Sequence, residues 1–243
     1  MRNFQKLGEI QETLRQITEA CMLKAALLNL RERYELQNIA YLALALPKLT
    51  RQEPHIEVTY DDDWVAHYTH HDYVKVDPVL HHSVRSILPT DWRNFSRKDK
   101  RVDSLFNESV QFGVGNQGLT IPVRGGNGEL ALFSVTAEEL DDSWQKRIHE
   151  YVSDYQMIAF YFHEAVLAAN GIKFDSVHLA PRELEVLKWV ANGKTANDVA
   201  TILNISEHTV RYYLENARYR LGALNQTHAV ARAIAKNLIA IPE

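Results

Sequence analysis

The chain has 243 residues, 46% of them apolar and 24% charged, which is the balance of a soluble globular protein of one or two domains. Its single cysteine, Cys21, excludes an internal disulfide and any cysteine cluster for a metal, and fits a reducing compartment. Net charge is −4, but unevenly placed: residues 171–243 hold nine Lys/Arg against seven Asp/Glu, and the first 170 hold 18 against 24. The +2 half is the side to search for an anionic partner.

In chain order, residues 4–30 repeat apolar positions at helical spacing (Leu14, Ile17, Cys21, Leu23, Leu27) and predict one long amphipathic helix. The start of the chain has no apolar signal segment, and no run approaches the ~18 apolar residues that span a bilayer. A cytoplasmic protein with no membrane partner is expected. Residues 38–46 (NIAYLALAL) predict a buried strand ended by Pro47, and residues 56–60 predict a second.

Trp64 and Tyr68 are four apart on a short helical stretch and share a face. Asp77-Pro78 reads as an N-cap followed by proline at the first helical position. Taken singly, the aromatics read as core and Asp77 as a cap. His67, His70, His71, Asp72, His81 and His82 crowd the same stretch. His67 and His71 have zinc-ligand spacing, but no His-Glu-x-x-His frame surrounds them, so a solvated polar face is expected and no metal.

Residues 96–112 predict a helix capped by Ser96, with Arg97, Lys98, Lys100 and Arg101 facing solvent. Residues 118–123 and 129–136 are strands flanking the glycine-rich turn at 124–128, with Pro122 marking an edge or a bulge. No helix or Gly-Lys-Ser/Thr follows that turn, so a phosphate cradle is not expected. Residues 141–170 predict a second long helix. Its stripe of Ile148, Val152, Tyr155, Ala159 and Phe162 is joined by Tyr151, Met157, Ile158, Tyr161 and Val166 on another side. Two apolar faces ask for two partners, and a subunit interface is expected. Residues 171–178 read as a linker.

The C-terminal stretch carries three short helical patterns, at 183–192, 196–203 and 207–221. Thr195 with Asp198 forms a capping-box pair, and Ser206 is a favoured N-cap. Two short helices joined by a turn of about three residues predict a helix-turn-helix. The second would enter the major groove N-terminus first, exposing His208, Thr209, Arg211, Tyr212, Glu215 and Asn216. Arg211 suits guanine, and Glu215 suits cytosine or a salt bridge to Arg211 or Arg218. Lys194, Thr195, Thr209 and Arg220 suit phosphates, beside the capping Ser206.

The run Glu183, Glu185, Val186, Leu187, Trp189, Ala191, Gly193, Lys194, Thr195, then Ile205, Ser206, Thr209, Val210, then Asn225, Ala229, Val230, Ala231 resembles the DNA-binding domain of LuxR-type regulators over a quarter of the chain. Ala180, Tyr213 and Gln226 depart from that pattern. Ala180 forfeits a side-chain cap, partly offset by Pro181. Tyr60, Trp64, Tyr68, Asp77, Pro78 and Trp92 likewise resemble, in type and spacing, the signature of the autoinducer-binding domain of LuxR-type quorum-sensing receptors. Gly118 and Pro122 match its Gly-x-x-x-Pro segment.

The resemblance implies an α+β chain: an N-terminal α/β/α sandwich around an antiparallel sheet (1–170), the linker (171–178) and an all-α helix-turn-helix domain (179–243). It implies an N-acyl-homoserine lactone ligand and no cofactor. Asp77 would accept the amide N–H, and Trp92 would donate to the lactone carbonyl. Tyr60 and Ser134 would reach the amide carbonyl, Trp64 and Tyr68 would wall the site, and Tyr73 would be among the ligand-binding residues. It further implies a homodimer on a palindromic duplex, paired through the last helix at 227–238, and admits RNA polymerase as a further partner. A regulator released from DNA by its ligand, or one with another small ligand, fits the same residues. A phosphorylated receiver domain does not, because the strands pair as hairpins rather than alternating with helices. A lactone-hydrolysing enzyme would have to use the histidine cluster, and none is expected.

Overall fold

The computed structural model describes residues 2–46, 54–126, 128–172 and 177–240. Two compact units divide the chain, with the main boundary between residues 173 and 174. Pro47, Asn127 and residues 173–176 of the expected linker lie outside the described residues.

The first unit begins with α1 (Arg2–Arg15) and α2 (Cys21–Arg33), where the sequence pattern predicts one helix. The apolar spacing runs through the break because Leu14, Ile17, Leu23 and Leu27 enter one core. The backbone turns between them because the halves have different partners. α1 packs on the long helix α6 (Asp141–Ala169), and α2 packs on β1 (Asn38–Ala45) and β2 (His55–Val58). One straight rod would miss one of these.

Three short helices follow β2: α3 (Asp62–His70), α4 (Pro78–Ser83) and α5 (Lys100–Gln111). Asp99, not Ser96, caps α5, accepting from the Arg101 and Val102 backbone N–H groups. Ser96 instead closes a local turn to Lys98, and the Arg97 guanidinium lies 4.5 Å from the Phe106 ring centroid. The basic run therefore belongs mostly to the approach to the helix rather than to its face.

β3 (Thr90–Asp91), β4 (Gln117–Arg124) and β5 (Leu130–Ala137) complete an antiparallel sheet of order β2-β1-β5-β4-β3. β3 pairs only with Thr120 and Leu119, so Pro122 sits where β4 has no partner on that side and its missing N–H costs no ladder bond.

The period of two divides the sheet residues between two layers. Ile39, Tyr41, Ala43, Leu119, Ile121, Val123, Ala131, Phe133 and Val135 face α1, α2 and α6 in one continuous core. The alternate residues of the central strands, including Gly118, Thr120, Leu132 and Ser134, turn the other way and are buried too. This α/β/α arrangement explains why β4 and β5 read as uninterrupted buried runs.

α6 is 29 residues, about 43 Å at 1.5 Å per residue. Tyr155, Ala159 and Phe162 of its expected stripe are buried, while Met157 and Phe160 are exposed. No helix among the described residues is long and apolar enough to cross a membrane.

The second unit holds α7 (Pro181–Ala191), α8 (Ala196–Leu203), α9 (Glu207–Arg220) and α10 (Gln226–Ala235) around Val186, Leu187, Val199, Val210, Leu214, Ala217, Ala229 and Ala233. The turn between α8 and α9 opens with Asn204 in the left-handed region (φ 52°), which asparagine tolerates. Thr195 accepts from the Asp198 N–H at 3.2 Å while Asp198 accepts from the Thr195 N–H at 2.9 Å, completing the expected capping box. Ala180 has no acceptor to offer, and only the reciprocal half of a box forms at α7, from the Ala180 N–H to Glu183 at 2.8 Å.

Candidate functional site

The layer over the second sheet face is built around Asp77. Its backbone is extended ahead of α4, and one carboxylate oxygen caps that helix by accepting from the Val79 N–H at 2.8 Å. The other accepts from the Tyr68 hydroxyl at 2.8 Å. Asp77 is only 8% exposed, and burial pushes its carboxyl above the usual carboxylate range, opposed by the bonds from Tyr68, Val79 and Leu80. A buried carboxylate persists only with donors around it, and these three are in place. The cap of α4 and the carboxylate that the resemblance assigns to the ligand are thus the same side chain.

The aromatic residues gather as the resemblance implies. Trp64 and Tyr73 are buried in one cluster with Leu105 and Val114, and Tyr60, Tyr68, Val76 and Trp92 pack against it. Trp64 stands 5.9 Å from Tyr68 and 6.5 Å from Tyr73 between ring centroids. Burial, and then the charge of Asp77, raises the Tyr60 and Tyr68 hydroxyls well above their ordinary pKa, so both stay protonated donors.

Trp92 is fixed from two sides. Its indole lies flat on Gly118 of β4, where a Cβ would come within 2.2 Å of the ring. Its Nε1 donates to Thr120 Oγ1 at 2.9 Å, and Thr120 is bonded to Ser134 at 2.7 Å. The resemblance gives the indole proton to a ligand carbonyl; here Thr120 holds it. The Tyr73 hydroxyl donates to Glu108 at 2.6 Å and is pushed up to about 12, first by burial and then by that carboxylate. Tyr73 therefore walls the site with its ring alone.

Glu108 and Thr120 were not legible as site residues. Glu108 receives both Tyr73 and His67 Nε2, each at 2.6 Å, and the His67 bond is the main cause of its lowered pKa. His67 is half-buried rather than solvated, stacked on Trp64 at 6.0 Å and tilted against Phe112 at 4.6 Å. It braces the aromatic wall from behind. Among the described residues no group of three His, Cys, Asp or Glu could hold a metal ion. The signal for Thr120 was present in the strand alternation: in GLTIP, the apolar Leu119 and Ile121 flank one hydroxyl that shares the face of Gly118.

In the second unit α9 presents Arg211 and Tyr212 to solvent, with Tyr212 61% exposed. Lys194 and Thr195 are exposed at the start of α8, and Ser206 accepts from the Thr209 N–H at 3.0 Å. Thr209 and Asn216 are half-buried. Arg211 is held by Glu207 one turn earlier, at 3.0 Å from its Nε. Glu215 takes the salt-bridge role, with Arg218, at 2.9 Å from the guanidinium Nε. Arg220 is tied within the unit to the buried Glu183 at 3.3 Å and to the His178 carbonyl at 3.2 Å. Of the expected phosphate contacts, Arg220 and the α8 cap Thr195 have structural partners within the unit.

Fold and site together define a two-domain regulator, with a small-molecule-binding α/β/α domain and a helix-turn-helix domain. The family model described as "Autoinducer binding domain" matches residues 22–166, and that described as "Bacterial regulatory proteins, luxR family" matches residues 177–233. The transcriptional activator protein RaiR of Rhizobium etli is 36% identical over 194 residues, 79% of this chain and 80% of RaiR. VanR of Vibrio anguillarum, also a transcriptional activator protein, is 30% identical, covering 77% of this chain and 78% of its own. A crystal structure of Escherichia coli SdiA has the same fold, with a TM-score of 0.66 and 22% identity over 98% of this chain and 99% of that one. The chain belongs to the LuxR family of quorum-sensing transcriptional regulators, with DNA and a small-molecule autoinducer as its two ligands.

Proposed function

We propose that the autoinducer is an N-acyl-homoserine lactone and that a cytoplasmic homodimer carrying it regulates transcription from a palindromic site. The observation that carries the reading is Asp77, a buried carboxylate walled by Trp64, Tyr68 and Tyr73. An acyl-homoserine lactone offers one amide N–H, two carbonyls and an alkyl tail. Asp77 supplies the acceptor for the N–H. Tyr60 and Ser134 supply donors for the amide carbonyl, and Trp92 supplies one for the lactone carbonyl. Trp64, Tyr68 and Tyr73 supply apolar wall.

One α9 helix reaches too few base edges for specificity, so two copies on half-sites about one helical turn apart complete the reading. Arg211 and Tyr212 face the bases, with Asn216 and Glu215 beside them. Lys194, Thr195, Ser206, Thr209 and Arg220 contact or frame the phosphates. The exposed Met157 and Phe160 of α6 support pairing of copies, and the last helix is read as pairing the two DNA-binding units. RNA polymerase is a partner of this reading through promoter binding alone.

A ligand that binds only the folded state stabilises it by RT ln(1 + [L]/Kd), about 2.7 kcal/mol at a hundredfold excess over Kd. Melting of the purified full chain with N-octanoyl-homoserine lactone tests this: Tm rises by several degrees, and duplex binding changes with it. An unmoved Tm across saturating lactones of short and long tail would remove the lactone and leave another small autoinducer.

A further inference from the structure

The geometry points to a second small-molecule site, on the face of the sheet away from Asp77, in which Lys6, Lys146 and Glu35 receive a small acid bearing two carboxylates and one ammonium group. The inference stands apart from the lactone reading and needs no lactone. The helical layer of α1, α2 and the first turns of α6 holds a cavity of about 370 Å³, a size that suits a small metabolite. Arg147 gives it a fixed floor. Its Nη1 donates to the Tyr34 carbonyl at 2.7 Å and its Nε to Glu139 at 2.6 Å, which staples the end of α2 to the start of α6. The Tyr34 hydroxyl donates to Asp154 at 2.9 Å, and Glu35 turns the chain through the left-handed region (φ 50°). Walls held by the protein's own bonds are in place before a ligand arrives.

The charges around the cavity divide into committed and uncommitted groups. Arg147 is committed to Glu139, Arg33 to Glu9 at 3.1 Å, and Glu150 lies against the Tyr151 hydroxyl. Lys6 is half-buried and forms no salt bridge among the described residues. Its ammonium rests on two rings instead, 4.0 Å from the Tyr34 centroid and 5.7 Å from that of Tyr151. Burial is the first cause of its lowered pKa, and Glu35 and Asp154 raise it only from beyond ion-pair reach. Lys146 and Glu35 are exposed at the same cavity, and neither side chain has a salt bridge or hydrogen bond among the described residues.

Two ammonium groups and one carboxylate are thus left around one space. A ring face attracts an ammonium less strongly than a carboxylate does, because the charge-assisted bond meets its protons directly. Two ligand carboxylates answer Lys6 and Lys146, and a ligand ammonium answers Glu35. An acidic amino acid has that pattern of charge. A neutral acyl lactone has no charge to offer here, so the two sites select different chemistry.

The test titrates the full-length protein with L-glutamate, glutarate, L-glutamine and inorganic phosphate, by calorimetry at constant ionic strength. L-Glutamate is expected to bind saturably and about fivefold or more tightly than each of the others. Glutarate lacks the ammonium, glutamine the second carboxylate, and phosphate the spacing between its charges. Lys6→Gln and Lys146→Gln each weaken L-glutamate about fivefold or more, and Glu35→Gln removes its preference over glutarate. Lys146→Gln and Glu35→Gln change exposed side chains and carry the measurement if Lys6→Gln does not fold. No saturable binding by the wild type, equal binding by wild type and variants, or phosphate bound as tightly as L-glutamate each overturns the proposal. A wild type that binds L-glutamate but no N-octanoyl-homoserine lactone upholds this site and overturns the lactone reading, so the two failures are distinguishable.

Discussion

The two units treat their polar side chains in opposite ways. In the first, hydroxyls and carboxylates meet far-apart segments under cover: Trp92 finds Thr120 28 positions on, Tyr73 finds Glu108 at 35 and His67 finds Glu108 at 41. In the second, the groups of α9 that face solvent pair along that helix in the open, Glu207 with Arg211 and Glu215 with Arg218. Buried pairs are costly to break because the surviving partner cannot return to water; exposed pairs are cheap to break because it can. A site that must close over a neutral ligand needs the first kind. A surface that must exchange its partners for phosphates and bases needs the second.

The largest expected effect is at the centre of the covered unit. Asp77→Ala removes the acceptor of Tyr68 and the cap of α4 together. An unpaired buried hydroxyl costs about 1–3 kcal/mol and a lost cap about 0.5–2, so a loss of about 1.5–5 kcal/mol is expected in urea unfolding. Restoring a cap alone, with Asp77→Ser, should recover the smaller share.

Next is a pair of pH dependences with opposite sign. Burial raises Asp77, so its folded form holds the proton more tightly than the unfolded chain does. That contribution is full below the unfolded value of about 3.9 and is lost as pH rises through the folded one. Glu108 is lowered, first by its bond from His67. Its contribution is present above the unfolded value of about 4.3 and is lost as pH falls through the folded one. Relative to wild type, Asp77→Asn should therefore gain stability as pH is raised from about 4 to 7. Glu108→Gln should lose it as pH is raised through the lowered folded value toward about 4.3, and hold level above that. Parallel curves for the two variants would contradict the assigned environments.

The smallest expected effect on stability lies on α9. Arg211→Ala breaks an exposed i,i+4 pair and should cost about 0.5 kcal/mol or less in unfolding. The same change should weaken a cognate duplex by about 1–3 kcal/mol while leaving random duplex nearly unaffected, read by fluorescence anisotropy. Equal weakening of both duplexes would make Arg211 a phosphate contact.

The contrast also explains what could be read in the chain. The helix-turn-helix was legible because its logic is local: Thr195 and Asp198 are three apart, as are Ser206 and Thr209, and Gly193 and Gly222 follow their helices. The strand pairing and the break at residues 16–20 lie one step further off, since the apolar pattern gives faces but not partners. Asp77 showed itself only as a cap, and the aromatics only as core. Their spacing resembled a receptor family, and that resemblance, rather than periodicity, gave them a role. Glu108 and Thr120 escaped because their meaning comes from partners 28 to 41 positions away. Arg220 is exposed, and its partners Glu183 and the His178 carbonyl lie 37 and 42 positions away, so its bonds too were hidden from local pattern.

Calorimetric titration of the intact protein with an N-acyl-homoserine lactone, beside Asp77→Asn, bears most directly on whether this carboxylate recognises the signal. Saturable binding by the wild type, weakened at least tenfold in a folded Asp77→Asn protein, is the predicted result. Equal affinity in the two proteins would contradict it.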